Sequence, residues 1–331
     1  MNILMIGGTQ FVGRAIAQAA LDNGHDLTLF HRGRTNPDLF PQATHIYGDR
    51  MTDIANLGDR TWDVVIDTCG YVPRAVRIAA DYLKDRGQRY VFISTISVYA
   101  DATTSGRDES AELATLDDPT TEDVTGATYG GLKVLCEEAA EAILPGRVLV
   151  IRPGLIVGPH DPTNRFTYWV TRVAQGGDVL APGDPDAPTQ FIDVRDLAAW
   201  TIHMTATQQT GIYNATGPAQ ALTIGTVLEA CRTASAPSAQ LVWVANDFLL
   251  AHDVAPFSDL PLWLPHASGQ ALMQLSIARA RDAGLTLRPL AATIADTRAW
   301  VNRLADAPGR DRAGLSAERE RELLEAWYNQ G

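Results

Sequence analysis

Apolar and polar positions alternate in blocks along the first half of the chain. Ile3 to Ile6, Asp26 to Phe30, His45 to Gly48, Val64 to Asp67, Tyr90 to Ser94 and Val148 to Ile151 are short apolar-rich runs, each bounded by Gly, Pro or polar residues, and they predict buried strands. Between them, Phe11 to Asn23, Arg74 to Arg86 and Tyr129 to Leu144 carry the spacing of amphipathic helices. Strand, helix, strand at this interval is the pattern of parallel βαβ units. The expected fold is α/β, with a doubly wound parallel sheet.

The rhythm breaks from Ala100 to Thr128, a stretch rich in Asp, Glu, Thr and Gly. A loop of that length in a compact unit is either a functional lid or a solvated acidic insertion, and composition leaves both open. Beyond Pro153 the pattern turns irregular, punctuated by Gly158-Pro159, Gly176-Gly177 and Pro182-Gly183. It predicts a helix over Arg165 to Ala174, a strand over Phe191 to Val194 with a helix after it, and a strand over Ile212 to Ala215 returning to the main sheet. A C-terminal helix opens at a Ser316 cap, with Leu323, Leu324 and Trp327 as its apolar stripe. The expected organisation is a sheet unit over residues 1–155, joined by residues from about 190 to 216, and a smaller substrate-binding lobe that makes up most of 156–331.

Composition narrows the classes of function. Hydrophobic residues at 46% and charged residues at 20% of 331 describe an ordinary folded chain. Twenty-seven Lys and Arg against 39 Asp and Glu give a net charge of −12, which disfavours a nucleic-acid partner. Cys69, Cys136 and Cys231 lie far apart with no C-x-x-C pair, so neither a disulfide framework nor a zinc ribbon is expected. Seven histidines include no metal-ligand spacing, and no metal site is expected. Met1 runs straight into an apolar strand without a basic leader, and no apolar run is long enough to span a bilayer. The expected setting is cytoplasmic, without membrane contact.

Candidate chemistry starts at the first strand. Gly7-Gly8-Thr9-Gln10-Phe11-Val12-Gly13 follows it and opens a helix. Glycine lets the strand turn sharply and lets backbone approach a pyrophosphate, while Gly13 allows close helix packing and the helix amides face phosphate. This predicts dinucleotide binding through all seven residues, with Gln10 standing where many such turns carry glycine. The second strand ends in Phe30-His31-Arg32-Gly33-Arg34, where NAD-preferring chains usually place an acid. Guanidinium groups pair with a 2′-phosphate, so His31, Arg32 and Arg34 point to NADP(H), with NAD(H) as the alternative and a solvated basic loop as the bland reading. Asp49, after the third strand, is placed for the adenine edge or for a surface turn.

Tyr129 and Lys133 stand four apart at the start of a helix, hence on one face. A neighbouring ammonium lowers a phenol's pKa from about 10 toward a usable range. The strand ending in Ser94-Thr95-Ile96-Ser97 delivers hydroxyls to the carboxyl edge of the sheet, where ligands bind in this architecture.

Together these residues make the chain resemble the extended short-chain dehydrogenase/reductases over essentially its whole length. The GGxxxxG turn with Gln10 resembles an atypical epimerase/dehydratase-like subgroup. Its labels run from isoflavone-reductase-like proteins to sugar epimerases or dehydratases and chloroplast stem-loop RNA-binding proteins. Further matches are Arg152-Pro153-Gly154, Val157-Gly158-Pro159, Phe191 to Asp196 and Tyr213-Asn214-Ala215. The resemblance implies a Rossmann-like fold, Tyr129 as acid/base, Lys133 holding the nicotinamide ribose and tuning Tyr129, and Thr95 bonding the substrate oxygen. It also assigns Thr68, Cys69 and Pro153 to the cofactor wall.

Two departures qualify it. Asp67-Thr68-Cys69-Gly70 replaces the usual His-Leu-Ala-Ala after the fourth strand, and Ile96-Ser97 replaces the Asp-Glu pair of the dehydratases. A sugar 4,6-dehydratase is therefore not expected. Ser97, Arg165 and Gln190 are candidate substrate contacts, with surface roles as the alternative for the last two. His160 reads as a substrate contact or a turn residue, and Phe166, Trp169 and Trp263 as core or pocket. The expected function is an NADP(H)-dependent oxidoreductase acting on a carbonyl or secondary alcohol of a small molecule. A nucleotide-sugar epimerase with bound NAD and an RNA-binding protein are the alternatives, and a homodimer through the Tyr129 helix is common among relatives.

Overall fold

Thirteen strands are present among the described residues: β1 (Asn2–Ile6), β2 (Asp26–His31), β3 (Thr44–Tyr47), β4 (Trp62–Asp67), β5 (Gly87–Ile93), β6 (Val148–Pro153), β7 (Leu155–Val157), β8 (Asp178–Pro182), β9 (Pro188–Thr189), β10 (Phe191–Asp193), β11 (Gly211–Ala215), β12 (Leu222–Thr223) and β13 (Gln240–Val244). They come from a computed structural model that describes the chain apart from residues 219, 221, 236–237, 305–312 and 330–331. Seven form one sheet in the order β11-β6-β5-β4-β1-β2-β3, with every pairing parallel. The winding reverses between β1 and β4, which opens a crevice at their carboxyl ends.

Helices α1 (Phe11–Asp22), α2 (Pro73–Leu83), α3 (Tyr129–Ile143), α4 (Thr167–Ala174), α5 (Val194–Ala206), α6 (Ile224–Ser235), α7 (Asn246–Ala251), α8 (Ala267–Ala271), α9 (Ala278–Asp282), α10 (Leu290–Asn302) and α11 (Ala317–Tyr328) complete the fold. Strand pleating sends alternate residues to opposite faces, so Ile3 and Met5 join the core under α1 and α5 while Leu4 and Ile6 join the one under α2 and α3. Both faces are covered, as a parallel sheet requires. The returning strand and its helix were legible in sequence. Ala280 and Leu285 also pack into the α1–α5 core, so chain after 216 belongs to the sheet unit as well.

The lobe has its own core, drawn from residues between Leu155 and Leu324. Trp169 is fully buried there, and its indole N–H donates to the Pro261 carbonyl at 2.6 Å. Ser316 caps α11 by accepting from the Arg319 N–H at 3.1 Å, as the sequence predicts. One turn in, the buried Glu320 carboxylate takes the Arg172 guanidinium and the Leu180 N–H. Phe166, Trp169 and Trp263 are core residues, with Trp263 tied to Asn246 at 2.8 Å.

The acidic stretch after a short 3₁₀ turn (Ile96–Val98) is docked. Tyr99 bridges Leu113, and Ala114 N–H donates to Val98 at 2.7 Å. Asn214 N–H donates to the Glu109 carboxylate at 2.7 Å, and Gly106 N–H reaches the Gln274 carbonyl at 2.7 Å. A forked ion pair joins Arg74 to Glu122 at 2.6 and 2.7 Å. The segment thus ties the sheet unit to the lobe, which decides against a merely solvated insertion.

Candidate active site

The crevice between β1 and β4 is floored by the glycine turn. Gly7 and Gly8 adopt φ of 99° and 105°, which L side chains resist, and a methyl at Gly13 would lie 2.8 Å from the Gly8 nitrogen. Gln10 is extended (φ −136°), a conformation open to any residue, which explains why no glycine is needed there. The Arg14 N–H is the first to bond back into the helix, to Gln10, so the amides of Phe11, Val12 and Gly13 remain available to an anion. Thr68 and Cys69 form the facing wall. Their side chains donate to the Ile6 carbonyl at 3.0 and 3.5 Å.

At the end of β2, Arg32 and Arg34 are exposed and have no side-chain partner among the described residues. His31 behaves otherwise. Its Nδ1 accepts from Gly33 N–H at 3.2 Å and its Nε2 meets His45 Nδ1 at 2.9 Å, so both nitrogens are spent on shaping the loop. We therefore remove His31 from the direct cofactor contacts. Asp49 takes the turn reading: one oxygen accepts from Met51 N–H at 2.9 Å, while its own N–H donates to Asp53 at 2.8 Å.

Beneath this wall lies an ion pair that sequence reasoning missed. Buried Arg50 forks onto Asp67 at 2.8 and 2.6 Å, and the Tyr90 hydroxyl donates to the same carboxylate at 2.6 Å. Burial raises the Asp67 pKa, but Arg50 and Tyr90 outweigh it and hold the carboxyl below its ordinary value.

The catalytic candidates converge where β5 ends and α3 begins. A methyl group at Gly130 would overlap the Ser97 carbonyl oxygen, and one at Gly131 would sit 2.6 Å from Leu116. The paired glycines therefore let the first turn of α3 press against the turn after Thr95. Thr95 Oγ1 accepts from Ser97 N–H at 3.2 Å and donates to Ser97 Oγ at 3.1 Å, which fixes its rotamer. Burial pushes the Tyr129 phenol above its ordinary value, and the adjacent Thr95 hydroxyl and Arg165 guanidinium pull it part of the way back. Lys133 is buried, donates to the Gly70 and Ile93 carbonyls at 2.8 Å each, and lies 4.0 Å over the Phe92 ring. Burial lowers its ammonium to about 8. The expected depression of Tyr129 by Lys133 is thus not what the geometry delivers, because the ammonium is turned to the carbonyl at the end of β5 and to one in the loop after β4.

Glu137 continues the same helix face. It accepts from the Ser94 hydroxyl at 2.5 Å and pairs with buried Arg152 at 2.6 Å, locking α3 to β5 and β6. The spacing Tyr129, Lys133, Glu137 carries a signal for it. Pro153 ends β6 at the crevice, followed by Gly154 against Thr216.

On the substrate side, Ser97 is exposed and Arg165 faces Tyr129 closely enough to feel its charge. Arg165 Nε donates to Thr163 at 3.0 Å. Gln190 is a correction: its amide donates to Pro218 and Leu275 carbonyls and accepts from Leu275 N–H at 3.0 Å, so this buried side chain spends both of its donors on holding the main chain. His160 is a turn residue at φ 70°, packed on Trp300. Among the described residues no cluster could hold a metal ion, and no helix is long and apolar enough to cross a membrane.

A family model described as "NAD dependent epimerase/dehydratase family" matches residues 3–216. "Epimerase family protein SDR39U1" of Bos taurus is 25% identical over 256 residues, 71% of this chain and 80% of that protein. "Chloroplast stem-loop binding protein of 41 kDa b" of Arabidopsis thaliana is 24% identical over 237 residues, 65% of this chain and 58% of that protein. Among solved structures, a UDP-glucose 4-epimerase shares the fold with a TM-score of 0.70 over 94% of this chain and 100% of the other, at 15% identity. The UDP-glucuronic acid 4-epimerase of Bacillus cereus in complex with NAD does so at 0.67 over 92% and 99%, at 16% identity.

Proposed function

The chain belongs to the NAD-dependent epimerase/dehydratase family, an NAD(P)-dependent epimerase or oxidoreductase by class, and we propose that it is an NADP(H)-linked oxidoreductase working at a carbonyl or secondary alcohol of a small molecule. The observation that carries this reading is the seating of the first turn of α3, which begins at Tyr129, against the turn after Thr95, with Lys133 buried one turn further along the same helix. The cofactor suits the residues present. Free α1 amides and the Gly7-Gly8 turn cradle a pyrophosphate, and unpartnered Arg32 and Arg34 suit a 2′-phosphate.

When bound, the nicotinamide supplies or accepts the hydride. Tyr129 supplies or removes the proton on the substrate oxygen, and the Thr95 hydroxyl, turning its one proton from Ser97 Oγ to that oxygen, holds it in place. Arg165 steadies the phenolate that remains after proton donation. Lys133, held by Gly70 and Ile93, keeps a third N–H for the ribose.

A second reading is a nucleotide-sugar epimerase that oxidises and re-reduces one carbon; the family description and the named 4-epimerases of the same fold favour it. RNA binding, suggested by the Arabidopsis thaliana relative's name, is opposed by the net charge of −12 and the assembled hydroxyls.

Calorimetric titration of cofactor-stripped protein with NADPH and NADH, repeated on Arg32→Ala, tests the proposal. Tighter NADPH binding that weakens about tenfold or more in the variant, with NADH unchanged, is expected for a guanidinium–phosphate pair. Equal affinities, or protein that purifies fully loaded with NAD, would move the assignment to the epimerase. Binding of neither nucleotide would sink both.

A further inference from the structure

Arg107 sits in the docked segment that joins β5 to α3. Its main chain is satisfied by the lobe, with Ser276 N–H donating to its carbonyl at 2.8 Å. Its side chain is 7% exposed, yet Nε and both terminal nitrogens lack any hydrogen-bond partner among the described residues. The other buried cations of the crevice differ. Arg50 forks onto Asp67, Arg152 onto Glu137, and Lys133 holds two carbonyls.

The Arg107 guanidinium carbon lies 5.7 Å from the centroid of the Tyr99 ring. Arg152 approaches the same ring at 5.1 Å, but its charge is cancelled by Glu137. Asp101 is close enough for its charge to reach Arg107 but makes no ion pair with it, and its oxygens accept from Thr103 and Thr104. A buried guanidinium without acceptors is costly, because its desolvation goes uncompensated. Five donors in a planar fork match a carboxylate or phosphate.

Arg107 stands where two parts of the chain meet. One side is the segment between the Thr95 and Tyr129 elements, and the other is Gln274 to Ser276 of the lobe. Leu275 there is held at both its N–H and its carbonyl by Gln190, so that wall is firm.

We propose that Arg107 receives an oxyanion of the substrate, a phosphate or carboxylate away from the reacting carbon, in the seam between sheet unit and lobe. The attribution to substrate rests on the reading of Tyr129 as the reacting centre; the anion site itself does not. NADPH-saturated protein at constant ionic strength is titrated calorimetrically with inorganic phosphate, pyrophosphate and, separately, acetate. Saturable binding of the phosphates or of acetate tells which chemistry the site takes. It should weaken at least tenfold in Arg107→Met, less in Arg107→Lys, and not at all in Tyr129→Phe. Unchanged binding in Arg107→Met, or no binding by the native protein, overturns the proposal. Thermal unfolding without anion should show Arg107→Met as stable as the native protein or more so; a marked loss would make the guanidinium a structural member and also overturn it. Normal turnover in Tyr129→Phe would sink the catalytic reading while leaving the anion site standing.

Discussion

The sheet unit and the lobe each bury an apolar core and ion pairs, but they assemble them over different reaches of chain. In the sheet unit, β1 pairs with β2 and β4, and the helices between those strands cover the faces. In the lobe, Trp169 bonds Pro261 across 92 positions and Arg172 pairs with Glu320 across 148. Regular parallel pairing fixes the strand ends, and there Thr95 follows β5 and Pro153 closes β6, beside the helix that carries Lys133. The lobe's partners are instead brought together from far apart in the chain. On the proposed reading, chemistry falls to the regular part and choice of substrate to the irregular part.

The sharpest challenge to that division is Trp169→Ala. Removing a fully buried indole should cost about 3–5 kcal/mol of stability, read by denaturant unfolding. NADPH affinity should hardly change; a parallel loss would mean that the two regions are one cooperative body. Next comes Tyr129→Phe, expected to lower turnover about a hundredfold or more, roughly 2.7 kcal/mol of barrier, with NADPH affinity intact. Near-normal turnover with any substrate that the native protein accepts would take the chemistry away from the sheet unit's edge.

The smallest effect concerns the junction itself. His160 is half-buried against Trp300, and burial together with the Arg14 charge lowers its pKa from 6.5 to about 4. The unfolded chain takes up this proton first, so the contribution is complete above pH 6.5 and is lost as pH falls toward 4. Melting temperatures across that window should decline less steeply in His160→Gln. An identical slope would show that the ring is not the titrating group.

How far the sequence reveals this architecture follows from the same contrast. Periodicity reads elements whose partners are the next elements along the chain, and so the parallel sheet and its glycine turn were visible. The facing of single polar side chains was not. Gln190 looked available until Leu275, far along the chain, consumed its amide. Lys133 shares a helix face with Tyr129, as its spacing requires, yet its long stem carries the ammonium to the Ile93 carbonyl on β5 and the Gly70 carbonyl in the loop after β4. Arg107 was hidden because a cation in an acidic stretch reads as solvated, and burial there depends on the lobe closing over it.

Gly130 offers no functional group, but it sets the clearance between two parts of the site. With no side chain in the gap, the first turn of α3 and the turn after Thr95 share one surface, and the phenol's reach is fixed by main chain alone. A single added carbon would act as a shim. Displacements of about an ångström at reacting groups cost on the order of a hundredfold in rate, so on the proposed reading the rate depends on this omission as well as on the tyrosine beside it.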